Sequence, residues 1–309
     1  MKNERYAFLA SGTGIDYREG YKILTPRNQE ELNQYLKQAA MITGLNDVVC
    51  LSKEAGDSLA DQIRNYSLNC VMIDNIKENE INPCYVAGYS MGIYSALYAG
   101  NSIDYKTGVE LISMAFRNLE QCLAQESALA GKMGSIIGLR KDEVSALLTE
   151  LDPGGNRVML ANVNNEHSIV ISGYAEEVKN VLLSAESEGA IKVSEIEVSF
   201  PYHSSLVSGA SAASVQQLEN FILKKLTVPM ISTIDFRLIC DIEDIKCELA
   251  RNLSSPISWW DTMLTLEELG IRNFIEISET KILQKIGRFI NPDFKFLTYR
   301  EIMHNKESI

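Results

Sequence analysis

Residues 84–100 read CYVAGYSMGIYSALYAG, and no other stretch constrains the fold as tightly. An apolar run ends at Gly88, a serine follows at Ser90, and Gly92 opens a run of small and apolar residues. Glycines two before and two after a serine let the chain turn sharply, so G-x-S-x-G here predicts a nucleophile on a tight turn between a strand and a helix. Upstream, apolar residues recur at helical spacing across 30–68, through LNQYLKQAAMI and LADQIRNYSL. Helix, strand, serine turn, helix is the order of an α/β core. Residues 6–11 (YAFLAS), closed by Gly12-Thr13-Gly14, read as a buried strand feeding a glycine loop. A dinucleotide fingerprint would need a further glycine where Tyr17 stands, which argues against that use of the loop.

The middle third has a different rhythm. MGSIIGL is strand-like, KDEVSALLTEL helical, and DPGGN a turn; VMLANV and SIVISGY read as strands, AEEVKNVLLSAESEG as a helix, and AIKVSEIEVS as a last alternating strand. The order βαββαβ is that of a split, ferredoxin-like unit. The expected architecture is therefore α/β: a hydrolase-like core with a parallel sheet, formed by 1–130 and 199–309, and an inserted ferredoxin-like βαββαβ subdomain at 131–198.

A chain of 309 residues, 46% hydrophobic and 23% charged, can bury a sizeable core. No apolar run approaches the ~20 residues of a membrane span, and the start MKNERYAFLASG is too polar for a secretory signal. The expectation is a cytoplasmic protein with no membrane attachment. Six cysteines without a C-x-x-C pair read as buried free thiols rather than a metal or disulfide framework, and no metal is expected. A net charge of −12 argues against nucleic acid, whose binders need a basic face.

A serine hydroxyl needs a base within hydrogen-bond reach and donors for the oxyanion. Three histidines are available. His167, in NNEHSIV, reads as a surface histidine in a polar turn. His304, near the C-terminus, stands where an ordinary α/β-hydrolase carries its base. His203, in VSFPYHSSLV, follows a strand through a proline-fixed turn, a position that aims a side chain at the edge of a site.

Together these segments resemble the malonyl-CoA:acyl-carrier-protein acyltransferase family, including the free-standing acyltransferases that serve polyketide synthases. GYSMGIYSALYAG resembles its nucleophile segment, GKMGSIIGL the first strand of its small subdomain, and ANVNNEHSIVISG its asparagine-containing hairpin. FPYHSSL resembles its histidine segment, and SPISWWDTM the stretch whose main-chain carbonyl holds that histidine. The resemblance implies Ser90 as nucleophile, His203 as base, the carbonyl of Ser258 as the group orienting the imidazole, and backbone N–H groups of Thr13 and Met91 as the oxyanion hole. It places Asn162, Tyr89, Tyr202 and position 115 beside the substrate. It implies acyl-CoA and acyl carrier protein as partners, and no cofactor beyond the CoA or phosphopantetheine that the substrates carry.

The departures matter as much. The family's loop usually reads G-Q-G-S-Q, and here it is Gly12-Thr13-Gly14-Ile15-Asp16; Tyr89 and Ile93 replace the usual flanks of the nucleophile. Malonyl-using members carry an arginine 25 residues after the serine, and counting without gaps that position is Ala115. Alanine cannot hold a carboxylate, and an unpaired buried charge is costly. Arg117 lies two residues on, about 200° around a helix, and should face away. The expected acyl group therefore lacks a free carboxylate. Hydrolysis of acyl chains from carrier proteins, a non-catalytic carrier-binding module, and malonyl transfer through Arg117 are the alternatives. For docking an acidic carrier protein, Lys281, Lys285 and Arg288 fall at i, i+4 and i+7, on one face of a helix.

Overall fold

The computed structural model describes residues 4–12, 16–51, 56–125, 131–278 and 280–307. Thr13, implied above as an oxyanion donor, lies outside the described residues. The strands are β1 (Tyr6–Ala10), β2 (Tyr85–Gly88), β3 (Gly131–Ile137), β4 (Val158–Asn165), β5 (Ser168–Tyr174), β6 (Lys192–Ile196), β7 (Met230–Ile231), β8 (Leu238–Ile239), β9 (Ile257–Ser258), β10 (Asn273–Ile277) and β11 (Lys295–Thr298). The helices are α1 (Tyr17–Ile23), α2 (Pro26–Thr43), α3 (Leu59–Glu78), α4 (Gly92–Ala99), α5 (Tyr105–Gln125), α6 (Lys141–Leu151), α7 (Ala175–Ser187), α8 (Ser208–Leu218), α9 (Ile242–Arg251), α10 (Trp259–Glu268), α11 (Ile282–Ile290) and α12 (Tyr299–Glu307).

The larger sheet runs β11-β10-β1-β2-β7-β8; its pairings are parallel as far as β7, and β8 joins antiparallel. All five residues of β1 are buried, as expected for a parallel strand covered on both faces. The helical region anticipated across 30–68 is two helices, because Gly44 ends α2 in the left-handed region and Ser58 starts α3 with a capping box to Asp61. α3 is buried along most of its length and carries Gln62, Asn65 and Asn69 at i, i+3 and i+7, on one face.

The smaller sheet has the order β6-β3-β5-β4-β9. β3, α6, β4, β5, α7 and β6 follow one another in the chain, and α6 and α7 bury their apolar residues with Ile136, Val158, Ile169 and Ile171 in a core of its own. The fifth strand, β9, comes from the C-terminal half of the chain and pairs parallel with β4, Asn162 opposite Ile257. This pairing ties the smaller sheet to the segment that passes behind His203.

Among the described residues no helix is long and apolar enough to cross a membrane. Of the six cysteines only Cys70 is buried, and Cys247 is exposed. The expectation that all are buried is thus corrected: Cys247 falls on the outer side of the amphipathic helix α9.

Candidate active site

Ser90 stands between β2 and α4 with φ 53°, in the left-handed region that non-glycine residues seldom occupy. The turn is possible because its neighbours have no side chain. A Cβ on Gly88 would lie 2.3 Å from the Ile93 amide nitrogen, and one on Gly92 would lie 2.1 Å from the carbonyl oxygen of Ala10 in β1. The two glycines of the motif therefore let the helix start press directly against the sheet, which lifts Ser90 to its edge. Holding a serine in this conformation costs about 1–3 kcal/mol, supplied by the packing around it.

Ser90 Oγ and His203 Nε2 are 2.8 Å apart. His203 is also in the left-handed region, φ 57°, and its backbone N–H donates to the Leu253 carbonyl at 2.7 Å. Its Nδ1 lies 3.1 Å from the Ser255 carbonyl. A carbonyl can only accept, so Nδ1 carries the proton and Nε2 is left to accept from Ser90. The orienting carbonyl is thus that of Ser255, not of Ser258 as the resemblance implied. Ser258 caps α10 with its side chain, and its own carbonyl accepts from Thr262 Oγ1 at 2.7 Å, so it is occupied one turn further on.

Burial pushes the His203 imidazole down to about 4, opposed by the backbone of Ser255 and Asn252. The ring is therefore neutral at ordinary pH, the form a general base needs. Asn252, which sequence reasoning missed, donates from Nδ2 to the Ser90 carbonyl at 3.4 Å and is almost fully buried. Met91 stands directly after Ser90 as the N-cap of α4, where the helix's positive end favours a developing negative charge.

The residues expected beside the substrate have different fates. Asn162 is 2% exposed and committed: its Nδ2 donates to Tyr89 Oη at 2.6 Å and to Asn164 Oδ1 at 2.7 Å, and its Oδ1 accepts from the Trp259 backbone at 3.3 Å. The Tyr89 hydroxyl donates to Asn164 Oδ1 at 2.8 Å, and its ring meets Trp259 edge-on at 5.5 Å. Burial pushes the Tyr89 phenol up to about 12, so it stays a neutral donor. Asn162 and Tyr89 therefore clamp the serine turn to the smaller sheet and leave no amide arm for a ligand. Tyr202 is buried and accepts from Gln62 Nε2 at 3.1 Å; burial and the nearby Asp57 raise its phenol further.

Ala115 is 3% exposed and packed in the main core. Its neighbour Phe116 meets Phe200 edge-on at 5.2 Å, and Phe200 meets Tyr202 in the same way at 5.6 Å, an aromatic row whose nearby charge is the Asp57 carboxylate, not a cation. Arg117 is exposed and lines a separate groove of about 670 Å³ with Lys106, Glu110 and Lys224. Arg64, the cation closest along α3, is buried and held by Asp61 at 2.7 Å and by the Val48 carbonyl at 3.2 Å. His167 is an exposed residue at the tip of the β4–β5 hairpin, and His304 lies on α12.

A serine on a strained elbow, bonded to a buried neutral histidine whose far nitrogen is fixed by a main-chain carbonyl, is an arrangement on an α/β fold that suits covalent acyl transfer. A family model described as an acyl transferase domain matches residues 68–288. The chain is 30% identical over 224 residues to the malonyl CoA-acyl carrier protein transacylase of Bacillus subtilis (strain 168), covering 72% of this chain and 70% of that one. It is 28% identical over 260 residues to the protein of the same name from Synechocystis, covering 83% and 84%. Two solved structures share the fold. One is a malonyl-transacylase in complex with its type II PKS acyl-carrier protein (TM-score 0.87, 21% identity, 98% and 100% covered). The other is the malonyl CoA-acyl carrier protein transacylase from Coxiella burnetii (TM-score 0.86, 23%, 99% and 97%). The chain belongs to the acyl transferase family and is an acyltransferase.

Proposed function

We propose that Ser90 accepts an acyl group from a CoA thioester and passes it to the pantetheine thiol of an acyl carrier protein, in fatty acid or polyketide synthesis. The observation that carries this reading is the 2.8 Å contact between Ser90 Oγ and a His203 whose Nδ1 proton is fixed on Ser255. As Ser90 Oγ attacks the thioester carbonyl, its proton moves to Nε2. The tetrahedral oxyanion gathers against the N-terminal end of α4, with Met91 N–H as the nearest donor in the chain. When it collapses, the C–S bond breaks and the thiolate takes the proton from Nε2. The carrier's thiol then repeats the steps in reverse and leaves Ser90 free. The thiol carriers come with the substrates, and we infer that the reaction runs in the cytoplasm, where thiols stay reduced.

For the acyl group, the absence of a guanidinium at Ala115 and the outward Arg117 favour one without a free carboxylate, since a carboxylate beside Phe200 and Asp57 would lack a partner. The relatives' names favour malonyl, and this is the second reading. Intact-protein mass spectrometry after mixing with acetyl-, butyryl- and malonyl-CoA separates them. The adduct that forms fastest identifies the acyl group, and loss of any adduct to water instead of to holo-carrier protein would convert the transferase reading into a hydrolase.

The docking patch is smaller than expected. Lys281 precedes α11 and pairs with Glu301 at 3.0 Å, because its own backbone turns into the left-handed region there; it no longer shares a helical face with the others. Lys285 remains, beside exposed Phe289 and Ile191, in a groove of about 510 Å³ that also touches Asn165 and His167, and Arg288 follows on the same helix. An acidic carrier helix with an apolar stripe fits this mixture, and the groove adjoins the hairpin that holds Tyr89.

A further inference from the structure

Next to the serine turn, α3 and α4 and the end of β1 enclose a cavity of about 10 Å³, room for a single water-sized group. Gly12 and Met91, on the oxyanion side of Ser90, form one wall, and Ile112, one turn before Ala115 on α5, forms another. The rest is neutral and polar. Asn69 Nδ2 donates to Ser95 Oγ at 3.1 Å, which satisfies that pair. Asn65 and Ser11 are 7% and 5% exposed, and Asn65 Nδ2 and Ser11 Oγ find no hydrogen-bond partner among the described residues. A buried polar atom left unpaired loses its hydration with nothing in return, so two such residues lining one small cavity next to the serine turn point to something that completes them.

We infer that Asn65 is a specificity-determining residue, which donates from Nδ2 to an uncharged oxygen on the third carbon of the acyl group. The preferred donors are then small 3-hydroxyacyl or 3-oxoacyl thioesters. The cavity accommodates one oxygen and not a chain. Amide and hydroxyl neighbours suit a neutral acceptor, and Ser11 Oγ can donate to it or accept from it. A carboxylate carbon brings two oxygens and a charge, and no cation lines the cavity to offset it. An alkyl group of the same length leaves both polar atoms unpaired. This inference rests on the acyl-transfer reading and adds the chemistry of the group transferred.

The test compares acylation of Ser90 by 3-hydroxybutyryl-, butyryl- and acetyl-CoA, followed by intact mass, in the natural protein and in Asn65→Leu. A site built around a hydrogen bond rejects the analogue lacking it, and the expected preference for 3-hydroxybutyryl over butyryl is roughly 10- to 100-fold in kcat/KM. Leucine keeps the branched four-atom outline of asparagine without its donor and should bring the ratio close to one, a change of selectivity that general loosening of the fold does not produce. Equal rates with 3-hydroxybutyryl and butyryl in the natural protein would overturn the assignment whatever the variant does, and so would a preference that survives Asn65→Leu. Acylation by none of the three would instead sink the acyl-transfer reading, and this inference with it.

Discussion

The two walls of the site are built on different principles. On the reaction side, backbone does the holding: Ser90 and His203 both sit in the left-handed region, the imidazole is fixed by the Ser255 carbonyl, and the turn depends on two glycines that press against Ala10 and Ile93. On the side proposed to hold the acyl group, around Ala115, Phe200, Tyr202, Gln62 and Asn65, the character is set by side chains. Backbone contacts survive most substitutions, whereas a single side chain can add or remove a charge. If Ala115 faces the acyl group, as proposed, the chemistry is robust to substitution and the choice of acyl group is not.

The sharpest way to break this division is Ser90→Ala. Acyl-enzyme formation should fall by on the order of 10⁵-fold or more, with the fold intact. An acyl adduct on the alanine protein, seen by intact mass, would remove the reaction side from the comparison altogether. His203→Ala comes next, with a loss of about 10³-fold or more in kcat, while His304→Ala should leave the rate close to that of the natural protein. The pH profile gives an independent check. The reaction needs neutral His203, and its value in the folded protein is about 4 rather than 6.5, so the acid limb of kcat/KM should fall near pH 4. Because the folded chain resists protonation here, the unfolded chain binds the proton more readily. This residue's contribution to stability is accordingly constant above pH 6.5, declines as pH falls from 6.5 to 4, and levels off below.

The acyl side answers to smaller perturbations. Ala115→Arg should shift preference toward malonyl-CoA by roughly 5- to 150-fold, about 1–3 kcal/mol, measured as the ratio of kcat/KM for malonyl- and acetyl-CoA. An unchanged ratio in a protein that still transfers acetyl would show that position 115 does not face the acyl group. Reversing Lys285 and Arg288 to glutamate should raise the KM for carrier protein roughly 3- to 10-fold, the sum of two exposed ion pairs, and flatten its salt dependence. Equal losses with acyl-CoA alone would point to lost stability rather than a docking face. Smallest of all, Arg117→Ala should change malonyl transfer by no more than about 2-fold, as for an exposed residue outside the site. A large, malonyl-specific loss would place the arginine in the acyl pocket and restore the malonyl reading.

Local chemistry was legible in the sequence. G-x-S-x-G after an apolar run requires a strand, a turn and a helix, since only glycine fits where the helix start meets the sheet. The βαββαβ rhythm of the middle third follows from apolar periods of two and 3.6, which any stretch of chain expresses by itself. His203 was chosen over His304 on the segments around it, and the structure brings it within 2.8 Å of Ser90. What depends on residues far apart was not legible. Ser255 rather than Ser258 meets the imidazole because β9 pairs with β4 and sends the carbonyl of Ser258 into α10, a matter of register that one-residue patterns do not carry. Asn162 turned out to brace Tyr89 from another sheet, and Lys281 to pair with Glu301 across twenty residues. Gln62, Asn65 and Asn69 did leave a trace, amides at i, i+3 and i+7, but the same spacing serves an exposed helix equally well. Only the packing of α3 between the sheet and α5 turns those amides inward. The sequence by itself determined which reaction this chain is equipped for, because nucleophile, turn and helix are neighbours in the chain. The tertiary structure alone decided the surroundings in which that reaction runs, because burial and charge pairing are properties of residues that meet only after folding.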